Sequence, residues 1–477
     1  MVGPHRLPCE TPEAQRPEDG RPADTRWVLP ATVLGSSLGF IDGSVVNVAL
    51  PAIGDSFDAD FAAVQWVVNG YMLAFASLIL LGGAAGDRFG RRRIFILGLV
   101  GFVAASLGCG LAPSATVLNV FRFAQGVAAA LLTPASLAII GATYRGEARG
   151  KAIGTWAAAA ALTTALGPAF GGWLVDAISW RAIFFINLPL GAAAVLLALK
   201  LPRDAETEET SLDLAGALLA IVTLGLVSYG LIALGEGNRL GGALALAAAL
   251  PGAVFFLRRE NKASSPMMPL SLFADRTFSG ANALTVSLYA ALTGALFLLP
   301  FLLIRTHGYS AAAAGAAFLP FSVIMGLGSR WTGALVEKVG ARLPLLLGPG
   351  LTGVGFAILA VSGDIAAYWA GFLPGLVVVG LGMTLSVAPL TTTVFEAVPE
   401  EASGTASGIN NAAARAGGLI AVAALGLSFG GAEASSLDPS ALSNAYRLVM
   451  FAAAALALAS ALIAGLTISA RPEESGR

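Results

Sequence analysis

Charged residues are scarce in this sequence. They make up 12% of its 477 residues, whereas soluble domains carry about a quarter. The formal net charge of −1 provides no basic surface for nucleic acid, so we predict no nucleic-acid partner. Cysteine is equally rare. Cys9 lies in a polar segment and Cys109 in an apolar run, so the sequence predicts neither a disulfide nor a metal site.

The sequence also lacks the motifs of ATP hydrolysis and of enzymatic sites. No Gly-x4-Gly-Lys-[Ser/Thr] segment occurs, so we do not expect this chain to hydrolyse ATP. Its two histidines are His5, near the N-terminus, and His307, in a predicted loop, and neither is placed to relay protons through a membrane. We predict a protein that is not an enzyme and that binds no metal and no cofactor.

Long apolar blocks dominate what is present, with 56% hydrophobic residues and a mean hydropathy of +0.78. A helix needs about 20 apolar residues to cross a bilayer, and backbone groups in hydrocarbon must be paired within helices or a closed barrel. The blocks lack the alternation of barrel strands. The predicted fold is therefore an all-α polytopic membrane protein of about fourteen spans. The predicted spans are 27–50, 62–85, 94–112, 115–141, 152–175, 182–201, 213–234, 240–257, 279–304, 310–334, 343–362, 366–391, 405–430 and 446–470.

Lysine and arginine fall mainly on one side of these spans. If the N-terminus is cytoplasmic, 21 of the 28 lie in inside segments and 4 in outside segments, so the positive-inside rule predicts that both termini are cytoplasmic. Residues 1–26 are rich in proline and polar groups and are predicted to be a disordered tail, and 471–477 form a second tail. The outside residues are Arg181, Arg239, Arg305 and Arg447, and those within spans are Arg122, Arg330 and Arg415.

Two polar loops divide the spans into groups of six, two and six. The loop 201–211 follows the first six spans, and the loop 258–277 follows two more. We therefore expect an N-terminal six-helix bundle over 27–201 and a C-terminal six-helix bundle over 278–470. Two additional helices would occupy a linker over 202–277.

The loop 83–93 combines glycines, an acid and arginines at a spacing that topology alone does not require. Gly83 and Gly86 would permit close backbone approach and a tight helix exit. Asp87 can accept hydrogen bonds from the free N–H groups of a neighbouring helix start or pair with an arginine. The same order of glycine, acid, base, glycine and arginine recurs at 333–342, which predicts an internal repeat.

This loop resembles motif A of the major facilitator superfamily, G-x-x-x-D-R-x-G-R-R. The matching residues are Gly83, Asp87, Arg88, Gly90, Arg91 and Arg92. Three other stretches resemble motifs of the fourteen-span drug:proton antiporter branch of that family. They are 41–51 (IDGSVVNVALP, with Ser44 where threonine is usual), 122–126 (RFAQG), and the antiporter motif at Gly167, Pro168, Gly171 and Gly172, with Thr163 and Thr164 in place of its upstream glycine.

The resemblance implies the major facilitator fold and a proton-coupled antiporter that exports small amphipathic drugs, antibiotics or metabolites by alternating access. Protons would be the coupling ion, and motif A would act as a conformational latch. The resemblance also implies a monomer in the lipid bilayer of a bacterial cell membrane.

Charged residues within the predicted spans are the candidates for coupling, because such residues are costly in a membrane. Asp42 lies mid-way along the first span and would bind and release a proton. The alternative is a structural carboxylate that is paired permanently. Arg122 cannot release its proton, so it would tune a carboxylate or contact substrate. A pairing between Asp42 and Arg122 is open at this point, as is a purely structural role for Arg122.

Further polar residues are candidates for lining a cavity: Asn47, Gln125, Asn411 and Arg415. Arg330 is predicted to reach the membrane interface instead. The segment 167–172 is interpreted as a bent helix that seals a leak path, or as plain tight packing.

The predicted C-terminal bundle has no carboxylate well inside a span. Neutral, zwitterionic or weakly anionic compounds are therefore as plausible as cationic ones. The rival functions are a flippase for lipids or cell-envelope precursors, a proton symporter or importer on the same fold, and a membrane scaffold.

Overall fold

The structure is a computed structural model that describes residues 25–202, 211–429 and 439–468. The predicted tails, apart from Thr25 and Arg26, lie outside the described residues. Within the described ranges the chain is helical and contains no strand. From the N-terminus to Lys262 the helices are α1 (Val28–Phe57), α2 (Phe61–Phe89), α3 (Arg91–Leu111), α4 (Ala115–Thr143), α5 (Gly146–Ala177), α6 (Ala182–Phe185), α7 (Asn187–Ala198), α8 (Leu214–Gly235) and α9 (Arg239–Lys262).

The second part of the chain continues the same pattern of long helices and short connections. A 3₁₀ turn, Leu270–Ala274, precedes it, and a π-helical turn, Leu302–Thr306, extends its first helix. The helices are α10 (Arg276–Phe301), α11 (Ala311–Ala316), α12 (Leu319–Val339), α13 (Arg342–Ser362), α14 (Tyr368–Gly371), α15 (Leu373–Glu396), α16 (Ser403–Ala424) and α17 (Pro439–Thr467).

Short polar side chains begin many of these helices. Asp60, Ser114 and Asp275 precede apolar runs, and each accepts a hydrogen bond from the backbone N–H three residues later. Such caps satisfy N–H groups that have no partner within the helix. At these three helices the start of the span is therefore set by a single polar residue between apolar blocks.

The all-α membrane fold is confirmed, whereas the predicted number of fourteen spans is not. Thirteen helices of the described residues are long and apolar enough to cross a bilayer. The predicted span 182–201 forms a shorter apolar stretch, Ala182–Ala198, in which α6 and α7 are separated at Ile186.

The connections define two ends of the molecule. We call the end that carries the turn at Gly90 the motif end, and the end that carries the turn at 58–60 the far end. Several hydrogen bonds between described residues join the first six and last six predicted spans at the far end. The Asp176 carboxylate accepts from the N–H groups of Ala311 (3.1 Å) and Ala312 (2.8 Å), and Arg305 pairs with Asp55. In this structure the two halves are therefore joined tightly at the far end.

The two additional helices lie against the seam between the halves. α8 and α9 pack on each other, and α8 also contacts α2 and α16. At the far end Ile232 of α8 is buried with Ala62 of α2 and Ala423 of α16. α8 therefore touches both halves.

Candidate functional site

Asp42 is the centre of a buried polar network in the first half of the chain. Its side chain is 1% exposed in the middle of α1. One carboxylate oxygen lies 2.5 Å from Nη1 of Arg122, and the other accepts a hydrogen bond from Nε2 of Gln125 at 2.9 Å. The structure thus brings together two residues 80 positions apart whose pairing the sequence left open.

Arg122 is fixed by hydrogen bonds to three residues and by contact with an aromatic ring. It is 1% exposed, and besides Asp42 it donates to the Val67 carbonyl at 2.8 Å and to Oε1 of Gln125 at 2.6 Å. Its guanidinium lies 4.6 Å from the ring centre of Tyr71. A buried cation is tolerated when it is paired and hydrogen-bonded, and these contacts meet that condition.

Gln125 extends the network to two residues that the sequence did not single out. Its Nε2 also donates to Oγ of Ser106 on α3 at 2.9 Å, and Asn187 of α7 donates to the same hydroxyl at 3.3 Å. Ser106 and Asn187 are both fully buried. They are isolated polar residues in apolar runs, which is the one sequence signal that could have found them. Asn47 is partly buried and takes no part in the network.

The glycines of the segment 167–172 pack closely against α1 and against α11. A Cβ placed on Gly167 would meet Oγ of Ser44 in α1, and one on Gly172 would lie 2.1 Å from the Ala311 carbonyl oxygen of α11. The backbone of Pro168 faces Gly315 at similarly close range. α5 continues through Pro168 as one helix. The small residues therefore permit the closure of the two halves at the far end.

The loop 83–93 forms a tight turn between α2 and α3, but not through the glycines that the sequence suggested. The turn depends on Gly90, whose φ of +97° favours glycine. A Cβ on Gly83 would have ordinary contact at 3.7 Å, and one on Gly86 at 3.8 Å, so the expected close approach there is wrong. The close approach lies at Gly82, where a Cβ would be 2.1 Å from the Ala130 carbonyl oxygen.

The charged groups of this loop contact its own half of the protein. Asp87 accepts hydrogen bonds from Arg91 at 3.0 and 3.2 Å. Arg92 donates to the carbonyl of Leu199 at 2.6 Å, at the end of α7, and Arg88 lies exposed. In the related segment 333–342 the side chains of 333–338 lie outside the described residues, but Gly340 has a φ of +76° between α12 and α13. The two turns thus share a left-handed glycine.

The profile of the Major Facilitator Superfamily matches residues 32–422. The chain belongs to the major facilitator superfamily. It is 37% identical over 418 residues to the "Multidrug resistance protein Stp" of Mycobacterium tuberculosis, covering 86% of this chain and 77% of that protein. It is 36% identical to the "Tetracenomycin C resistance and export protein" of Streptomyces glaucescens, covering 86% and 76%.

Solved structures show the same fold for this major facilitator protein. A bacterial homolog of the human lysosomal transporter Spinster, in an inward-facing and occupied conformation, superimposes with a TM-score of 0.68. The match covers 95% of this chain and 98% of that chain at 19% identity, so it speaks for the fold alone. The resemblance to the superfamily and the helical membrane fold are confirmed together.

Proposed function

We propose that this major facilitator protein exports small amphipathic compounds, including drugs or antibiotics, in exchange for protons. Relatives that are named for drug resistance and export support the direction of transport. The observation that carries the coupling is the Asp42–Arg122–Gln125 network, which places a fully buried carboxylate beside a cation that cannot release its proton.

Asp42 is the proton carrier in this proposal. In the structure its charge is compensated by Arg122, and its two oxygens accept hydrogen bonds from Arg122 and Gln125. A proton on Asp42 would cancel that charge and release the Arg122 guanidinium to rearrange against Val67 and Tyr71. Each net charge that moves through the membrane supplies about 2.3 kcal/mol per 100 mV.

In this proposal the structure corresponds to one of the two end states of the transport cycle. The far end is closed by contacts between the halves, and Asp87 at the motif end bonds to Arg91 in its own half. We assign the motif end to the cytoplasm, with both termini on that side and a monomer as the functional unit. In the opposite state Asp87 would accept hydrogen bonds across the motif end and hold it closed.

Replacing Asp87 with asparagine should favour the state seen here, because the neutral side chain binds helix N–H groups less strongly. A loss of about 1 kcal/mol corresponds to about a fivefold shift in population. Spin labels on Ser56→Cys and Ala366→Cys, which lie at the far end in opposite halves, measure this population shift. We expect a larger fraction of short distances between the two labels. Glu147→Gln, which removes an acid from another i,i+4 pair at the motif end, is the matched control. If the two conformational states of Asp87→Asn are populated as in the wild type, Asp87 does not act as a conformational latch.

The proposed exchange is tested in inside-out vesicles of a host without its own efflux pumps. A growth-inhibition panel first identifies compounds against which the wild-type protein protects. Adding such a compound to acidified vesicles should dissipate the pH gradient, which an acridine dye reports as recovered fluorescence. A steeper pH gradient after addition of the compound would indicate symport. If no protective compound changes the gradient, the proposed proton coupling is wrong.

A further inference from the structure

A stripe of polar residues runs along one face of α16. Ser407, Asn411 and Arg415 are spaced four residues apart, so they lie on the same side of the helix. Arg415 follows the start of α16 by twelve residues, which is about 18 Å of helix and places it near the middle of the membrane.

This face of α16 lies between its contacts with α2 and α10. On one side Gly408 packs against Leu80 of α2, and on the other Gly417 packs against the Val286 backbone of α10. Asn411 lies between these two contact faces and is exposed. The polar stripe therefore points into the space between the two halves of the protein.

Aromatic residues from both halves lie near the Arg415 guanidinium. It lies 4.9 Å from the ring centre of Phe75 in α2. The side chains of Tyr71 in α2 and Tyr289 in α10 lie in its neighbourhood, within range of its charge. In the part of the chain that the structure describes, Arg415 has no carboxylate within ion-pair distance, unlike Arg122, whose charge Asp42 compensates.

The charge balance near the middle of the membrane therefore leaves one positive charge. The Asp42 and Arg122 charges cancel, and Arg415 remains. Among the described residues the buried acids are Asp42, Asp213 and Glu260, none of which belongs to α10–α17. A cation at this depth is costly without a counter-charge, which points to an anion from outside the protein.

We propose that Arg415 is the counter-ion for an anionic group, a carboxylate or an enolate, on an amphipathic aromatic substrate. This rests on the proposed export function and names the substrate class of the same transporter. The guanidinium offers several N–H donors to such a group, and arginine also stacks on flat rings. Asn411, one turn nearer the motif end, supplies a further polar contact at the entrance.

The test compares two probes that differ in charge alone: anthraquinone-2-carboxylate and anthraquinone-2-carboxamide. Binding to the purified full-length protein in nanodiscs is measured by tryptophan fluorescence quenching. The wild type should bind the carboxylate at least about tenfold more tightly than the carboxamide, as a charge-assisted hydrogen bond implies. Arg415→Gln should abolish this preference, and Arg415→Lys should retain part of it.

Arg447→Gln provides the matched control, because Arg447 is a surface arginine that pairs with Asp364 at the far end. It should keep the wild-type preference. Equal binding of the two probes to the wild type overturns the inference, as does binding of neither, or a preference that survives in Arg415→Gln.

These outcomes are separate from the failure of the proposed function. Neutral compounds could dissipate the pH gradient in vesicles although the protein binds the carboxylate no more tightly than the carboxamide. In that case the export function stands and the proposed substrate class is wrong. If no compound is coupled to protons but the charge preference depends on Arg415, the anion site stands and the exchange is wrong.

Discussion

Replacing Asp42 with asparagine should abolish proton-driven export. Asparagine keeps the shape of the side chain but cannot carry a proton in exchange. One proton exchanged in a pH gradient of about 1.7 units supplies about 2.3 kcal/mol and supports a concentration ratio of about fiftyfold, and this ratio should fall to unity. The measurement is the accumulation of a protective compound in inside-out vesicles with an imposed pH gradient.

Folding is the main complication of that variant, because it leaves Arg122 buried without its counter-charge. Breaking a buried ion pair by removing one partner costs about 3–5 kcal/mol. The double variant Asp42→Asn/Arg122→Gln removes both charges and should restore the yield of folded protein while remaining inactive. If the single and the double variant both accumulate substrate as the wild type does, Asp42 is a structural carboxylate.

A control at the end of the same helix separates the role of Asp42 from a general loss of negative charge. Asp58 is exposed beyond the end of α1, and its φ of +47° lies in the left-handed region that asparagine tolerates. Asp58→Asn should therefore transport at the wild-type rate.

Gly172→Ala should shift the protein away from the state seen here and slow transport. An alanine Cβ would lie 2.1 Å from the Ala311 carbonyl oxygen in the opposite half of the protein. The clash exists only while the far end is closed, so it penalises one state of the cycle. Overpacking of this kind costs about 1–3 kcal/mol, which corresponds to a population shift of about 5- to 150-fold.

The spin labels on Ser56→Cys and Ala366→Cys measure this shift as a loss of short distances across the far end, opposite in sign to Asp87→Asn. Gly154→Ala is the matched control, since it lies on the same helix and a Cβ there meets nothing within 4 Å. Wild-type distances in Gly172→Ala would show that the far end does not close as tightly as the structure indicates.

The sequence predicted much of the fold, because spans are local. Apolar length, the single polar residues between the blocks and the distribution of arginine each depend on neighbouring residues. The loop motif 83–93 and the stretch 122–126 likewise pointed to the family. The local geometry of this loop differs from the prediction: the sequence suggests close approach at Gly83 and Gly86, whereas the structure places it at Gly82, with the turn at Gly90.

The candidate site depended on contacts between distant segments. The sequence alone determined that Asp42, Arg122 and Arg415 lie within membrane spans, where charged side chains are energetically costly and usually functional. Only the tertiary structure decided that Asp42 and Arg122 pair and that Ser106 and Asn187 extend their network. It also placed Arg415 beside the Phe75 ring, with no carboxylate of the described residues within ion-pair distance. The hydrophobicity of a span is a sum over consecutive residues, so it can be calculated from the sequence. The partner of a side chain depends instead on how separate helices pack and rotate against each other.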